Sequence, residues 1–184
     1  MVSEFVVLAL PGHKQLDLLA TLEVFAEARA ICGAVCITEI SLSSPAELWK
    51  ARTLGDLRFG SVFAVHAGSS RPSTDFDFEV GAAVTRAWRP DVTLCTIGAS
   101  TQFLAGMGIL NGRRVAVSSA LKSEVMTSYP LVRWDANALC IREGNLVSSA
   151  GFFGAAQAAL LTLRNAGHPE VADHDHRHRQ AHGS

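Results

Sequence analysis

Hydrophobic residues run without alternation from Glu4 to Leu10, the pattern of a parallel strand covered on both faces, and Pro11-Gly12 stops the run. Leu16, Leu18, Leu19, Leu22, Val24, Phe25 and Ala28 then recur at helical spacing until Gly33, which predicts a first strand–turn–helix unit. Val35 to Leu42 reads as the next strand, Ser43 to Asp56 as an irregular stretch or short hairpin, and Ser61 to His66 as a buried strand ending at Ala67-Gly68. Ser69 to Asp77 reads as a loop, Phe78 to Trp88 as a helix broken by Pro90, and Val92 to Ile97 as a strand. That strand turns through Gly98-Ala99-Ser100 into a helix reaching Met107. Arg114 to Val117 predicts a short strand and Ala120 to Tyr129 a helix. A hairpin of Ala138 to Ile141 with Leu146 to Ser149 and an apolar helix from Gly151 to Arg164 complete the pattern. The alternation predicts a doubly wound α/β fold: a mostly parallel sheet sandwiched by helices, of flavodoxin-like type, with a small β-hairpin.

At 184 residues with 48% hydrophobic and 18% charged positions, the chain can bury one core of ordinary domain size and is not disordered throughout. The expected organisation is one domain over residues 1–166 and a disordered His-rich tail over 167–184, where five of the seven histidines fall among polar residues. Such a run without rigid geometry predicts adventitious metal capture only. A net charge of −1 gives no basic footprint for a phosphate backbone, so nucleic-acid binding by this chain alone is not expected. The apolar run at the N-terminus is too short for a signal peptide or a membrane span, so a cytoplasmic protein without a membrane partner is expected. Cys32, Cys36, Cys95 and Cys140 lie in apolar or strand-like segments and read as reduced thiols. Cys32 and Cys36 form a Cys-x3-Cys pair, but no second pair or nearby histidine completes a zinc set, and neither metal nor cofactor is expected.

In a doubly wound fold the ligand lies at the carboxyl ends of the strands, which selects Pro11 to Asp17, His66 to Gly68, Gly98 to Ser100 and Ser118-Ser119. The tight turn after Ile97 is where α/β enzymes expose a nucleophile beside backbone N–H donors, yet its apex is Gly98. Ser100 reads as a helix cap, and Cys95 as a thiol made inert by burial inside its strand. His13 and His66 are the histidines outside the tail. They read either as a solvated loop residue and a strand-end residue bonded to backbone, or as a site with Asp17.

Taken together, VVLALPGHKQLDLLATLEVFAEA at 6–28, GASTQFLAGMGILNGRRVAV at 98–117 and YPLVRWDANALCIREGNLVSSAG at 129–151 resemble the ThiJ/PfpI superfamily, the class I glutamine amidotransferase-like fold. More narrowly, they resemble the N-terminal domain of AraC-type regulators and the isonitrile hydratases, over roughly residues 4–165. The resemblance implies a cysteine at position 98 and a histidine at position 118, where this chain has Gly98 and Ser118. Asp17 matches the acidic residue facing that cysteine, Ala67-Gly68 stands for a Gly-Gly strand end, and the aspartate of the last helix is Gln157. With the thiolate pathway gone, the resemblance implies a non-catalytic small-molecule sensor, binding through Asp17, Gly68, Gly98, Ala99, Ser118 and Gly151, with the DNA-reading domain absent. The rival expectation is a divergent hydratase-like lyase using Asp17 with His13 or His66. A homodimer is expected, from the resemblance and from the Phe152-Phe153 pair on an apolar helix.

Overall fold

The computed structural model describes residues 3–33, 35–41, 62–66 and 74–171. Among these, six strands form one sheet in the order β2-β1-β3-β4-β8-β7. They are β1 (Ser3–Ala9), β2 (Val35–Ser41), β3 (Val62–His66), β4 (Thr93–Ile97), β7 (Cys140–Glu143) and β8 (Leu146–Ser149). All neighbours run parallel except β7 and β8, which are the expected hairpin. This is the mostly parallel, helix-covered α/β architecture that the alternation predicts.

The parity of the strands sorts the core into two layers. Phe5, Val7 and Ala9 of β1 face α1 (Gln15–Cys32) and α5 (Phe152–Asn165), meeting Leu18, Phe25, Ala155 and Ala159. Val6 and Leu8 face the other way, toward Val80 and Val84 of α2 (Asp75–Ala87) and Phe103 and Leu104 of α3 (Ala99–Gly106). Each fully buried Leu, Phe or Val contributes about 1.5–3 kcal/mol by leaving water, so both layers hold the sheet. Phe5 stacks against Phe25 with ring centroids 5.0 Å apart. In α1 the inner stripe is Leu18, Thr21, Phe25 and Ala28, while Leu16 and Leu19 of the same periodic set point to solvent.

Three segments differ from expectation. Helix α2 starts at Asp75, inside the stretch read as loop, because Thr74 caps it. The Thr74 hydroxyl accepts from the Asp77 N–H at 3.2 Å, and the Asp77 carboxylate accepts from the Thr74 N–H at 3.0 Å. Thr74-x-x-Asp77 is thus a capping box with a shorter acid than usual. Second, β5 (Arg114–Ala116) does not join the main sheet. It pairs in parallel with β6 (Arg133–Asp135), a strand too short to show a period, in a two-stranded sheet beside β7 and β8. The place next to β4 is taken by β8, whose Ser148 hydroxyl accepts from the Ala116 N–H at 3.0 Å. Third, the helix read from Ala120 to Tyr129 shortens to α4 (Lys122–Ser128). The expected irregular stretch at 43–56 and the Ala67-Gly68 turn lie outside the described residues.

Parallel strands fix which helix ends lie where. Helix α1 leaves the carboxyl end of β1 and, at ~1.5 Å per residue, carries Cys32 roughly 27 Å back to the edge where β2 begins. Helix α5 packs beside it and ends at the same far edge. Beyond it, His168 sets its ring edge-on to Phe5 at 5.8 Å, its N–H donates to the Leu163 carbonyl at 2.9 Å, and Val171 is buried. The chain after Val171 lies outside the described residues.

Candidate functional site

At the carboxyl edge, Gly98 joins β4 to α3 with φ 58° and ψ −119°, a turn that L side chains adopt only under strain. The nucleophile-elbow backbone is therefore kept with a hydrogen at its apex. A Cβ built at Gly98 would lie 3.5 Å from Asp17 Oδ2 and 3.5 Å from the Gly151 Cα, so there is room for the missing side chain. Gly151 itself, at φ 138° and ψ −155°, occupies a region reserved for glycine as β8 passes into α5. Ser100 does not cap α3. Its hydroxyl accepts from the Ile97 N–H at 2.7 Å and donates to the Ile97 carbonyl at 3.0 Å, locking the elbow and leaving the first N–H groups of α3 without a side-chain cap.

Asp17 is buried at the start of α1, and its Oδ1 has no hydrogen-bond partner. Desolvation pushes its carboxyl pKa up, against a smaller lowering by Lys14, so burial disfavours its charged form. His66, ending β3, is 2% exposed with Nε2 unpartnered. Burial, with some repulsion from His13, drops its pKa to about 4, so the ring is neutral. His13 donates from Nδ1 to the Leu10 carbonyl at 2.9 Å. Gly98, Ala99, Ser118 and Gly151 line one cavity of about 410 Å³ with Gln102 and Glu124 at its wall. Ser118 and Gly151 also border a second cavity, of about 260 Å³, under the Ala136–Leu139 segment. The structure thus gathers Asp17, Gly98, Ala99, Ser118 and Gly151 at the rim, while Gly68 lies outside the described residues. Val117, read as the end of the Arg114 to Val117 strand, follows β5 in the small sheet rather than the main one, yet still lines both cavities. Cys95, by contrast, is fully buried in β4 and its thiol pKa is pushed up to about 12.

The far edge overturns a different expectation. Cys32, His168 and Glu170 bring a thiol, an imidazole and a carboxylate within 4.8 Å of one another. The Cys32 thiol donates to Glu170 Oε1 at 3.1 Å, and His168 Nδ1 lies 3.4 Å from the same oxygen. A strictly non-catalytic sensor domain, with every catalytic-type group absent, is therefore not what the chain forms: a triad-like set is present, displaced from the elbow. Burial, the hydrogen bond to Glu170 and its charge raise the Cys32 thiol to about 11, so the thiol, not the thiolate, is the resting species. The bond from Cys32 in turn holds the Glu170 carboxyl below its ordinary range. Sequence reasoning weighed Cys32 only with Cys36 and missed its partners, because 138 positions separate Cys32 from Glu170. The available signal was topological: in a doubly wound fold, first and last helices on one face end at one edge.

The fold resembles that of ThiJ/PfpI-type α/β domains. Solved structures superpose over nearly the whole chain. An AraC family transcriptional regulator from Pseudomonas putida matches with a TM-score of 0.73 at 16% identity, covering 93% of this chain and 96% of the other. DJ-1beta of Drosophila melanogaster matches at 0.70 and 17% identity, covering 94% and 95%. A two-domain protein from Anabaena variabilis with DJ-1/ThiJ/PfpI-like and ferritin-like domains matches at 0.67 and 12%, covering 90% of this chain and 48% of that one. Similarity at such identities carries the fold alone. No family model and no curated protein matches the sequence. Among the described residues, no helix is long and apolar enough to cross a membrane.

Proposed function

We propose that the chain is a small-molecule-binding protein of ThiJ/PfpI-type fold that also carries catalytic-type groups, with the two placed at opposite edges of its sheet. The observation that carries the rim half is the unpartnered Oδ1 of buried Asp17 beside the Gly98 elbow. A buried polar atom without a partner costs about 1–3 kcal/mol, a debt that a ligand reaching it would relieve. The uncapped start of α3 supplies N–H donors and the positive end of a helix dipole. A compact ligand with a carbonyl or carboxylate oxygen over Ala99, and a polar group toward Asp17, fits both features. Ser118 and Gly151 form the opposite wall. Gly98 supplies no nucleophile there, so chemistry of the kind a thiol, imidazole and carboxylate perform falls to Cys32, His168 and Glu170.

The test is thermal unfolding against a panel of small carboxylates, aldehydes and amides, with turnover followed in parallel. Binding to the folded state raises the midpoint by mass action. The reading expects a shift that weakens in Asp17→Asn and disappears in Gly98→Val, whose side chain projects toward the space over the elbow. It fails if no compound shifts the native protein, or if Gly98→Val leaves the shift intact. Turnover lost in Cys32→Ser, but not in Gly98→Val, would assign chemistry to the far edge.

Self-association belongs to the same reading. Leu16 and Leu19 at the start of α1 and Phe153 at the start of α5 are 62%, 56% and 85% exposed on helices that pack side by side. A homodimer covering them is expected, and light scattering at micromolar concentration decides it.

A further inference from the structure

The thiol, imidazole and carboxylate at the far edge have a use that an elbow-centred reading leaves out. Around a tetrahedral zinc ion with Zn–S near ~2.3 Å and Zn–N or Zn–O near ~2.0–2.1 Å, donor atoms stand about 3.3–3.6 Å apart. Here Cys32 Sγ and Glu170 Oε1 are 3.1 Å apart, and His168 Nδ1 and Glu170 Oε1 3.4 Å, so an ion would need to spread the thiol and carboxylate by only about half an ångström. The third separation falls within the same 4.8 Å limit. We propose that Cys32, His168 and Glu170 form a binding site for a borderline divalent cation of the zinc type, with a fourth coordination position open.

The donors sit on well-anchored backbone. Gly33 closes α1 one residue after Cys32, its N–H donating to the Arg29 carbonyl at 3.0 Å. The His168 ring is set by Phe5 and its backbone by Leu163, and buried Val171 fixes the turn that carries Glu170. One sulfur, one nitrogen and one oxygen suit zinc or cobalt(II) and disfavour magnesium and calcium, which take oxygen sets. On binding, the Sγ–H bond gives way to a metal–sulfur bond, the proton leaves to solvent, and Glu170 exchanges its hydrogen bond from the thiol for coordination. Three protein donors and an open position is the count found in catalytic rather than purely structural zinc sites. The ion would also tie the end of α1 to the segment after α5, which no covalent link joins.

His174, His176, His178 and His182 follow in the sequence and can capture metal by themselves, so the test starts from full-length chain with these four changed to alanine. Equilibrium dialysis with zinc alone should give one ion per chain, and cobalt(II) should produce a sulfur-to-metal charge-transfer absorption. Cys32→Ser should abolish that absorption, and Cys32→Ser, His168→Ala and Glu170→Gln should each weaken zinc at least about tenfold. Glu170 is half-exposed, so its variant reports on binding even where Cys32→Ser folds poorly. Zinc binding by the native chain but not by the four-alanine chain would assign the metal to the histidine run and overturn the proposal. So would binding unchanged in Cys32→Ser or in Glu170→Gln. Neither readout involves the rim cavity, so its outcome is separate from that of ligand binding there.

Discussion

The two edges of the sheet divide what a single active site usually holds together. The carboxyl edge has the backbone: an elbow at Gly98, a free helix start and a cavity, but no side chain at the apex. The opposite edge has the side chains, Cys32, His168 and Glu170, but no elbow and a thiol held protonated. Strand direction explains the contrast. Carboxyl ends of parallel strands converge on helix N-termini and so make backbone donors available in every such fold, whereas the opposite edge offers helix C-termini and whatever side chains happen to meet there. Local geometry at the rim is inherited from topology. Chemistry at the far edge depends on particular residues.

The contrast can be broken most severely by Phe5→Ala. Removing this ring leaves a cavity between β1 and α1 and takes away the surface on which His168 rests, at an expected cost of about 3–5 kcal/mol in urea unfolding. The far edge should loosen first, seen as faster alkylation of Cys32, with Cys95 still protected.

The next effect belongs to the rim. His66 is held neutral, with its pKa lowered from 6.5 to about 4. Its folded form therefore binds a proton less readily than its unfolded form, so the stability it contributes is whole above about pH 6.5 and is lost as pH falls toward 4. The loss should reach about 3 kcal/mol across that window, and His66→Gln should flatten the profile. An unchanged slope in that variant would mean that other groups govern acid unfolding.

A smaller effect comes from the elbow itself. Gly98→Ala meets no atom closer than 3.5 Å, so its cost is backbone strain alone, about 1–2 kcal/mol by denaturant midpoint. A much larger loss would show that the space over the elbow is not there to be filled.

Smallest is Asp17→Asn. A carboxyl whose pKa is raised by burial destabilises the fold progressively as pH rises above the ordinary value of 3.8. The amide should therefore raise stability at pH 7 by under about 1 kcal/mol and leave stability below pH 3 unchanged. Measuring both pH values separates this from a general packing effect.

What the sequence made legible follows from period and punctuation. Long segments carried their own signals: the unbroken run of β1, the helical spacing of α1 and the Gly98 turn stand where pattern placed them, although only Leu18, Phe25 and Ala28 of the periodic α1 set are buried and Thr21 joins them. Strands β5 and β6 hold three residues each, too few to display a period, so nothing local could say that they pair with one another and leave the place beside β4 to β8. Thr74-x-x-Asp77 was readable as a capping box, but aspartate is not the usual acid in that position. Asp17, Gly98, Ala99, Ser118 and Gly151 could be placed near one rim because they flank strand ends. Cys32 with His168 and Glu170 was not, since a non-local cluster announces itself only once the helices bearing it are packed.

The small β5–β6 sheet also bears on how copies of this chain behave toward each other. Strand β7 is the outer member of the main sheet on that side, and an outer strand is a template on which another chain can add. Here Glu143, at its end, accepts from the Arg114 N–H and pairs with Arg133 at 2.6 Å, while Arg114 reaches Asp135 at 2.5 Å. The charges and the small sheet together fence that border, so growth of the sheet from molecule to molecule is blocked there by ordinary surface residues, independent of anything bound at either edge.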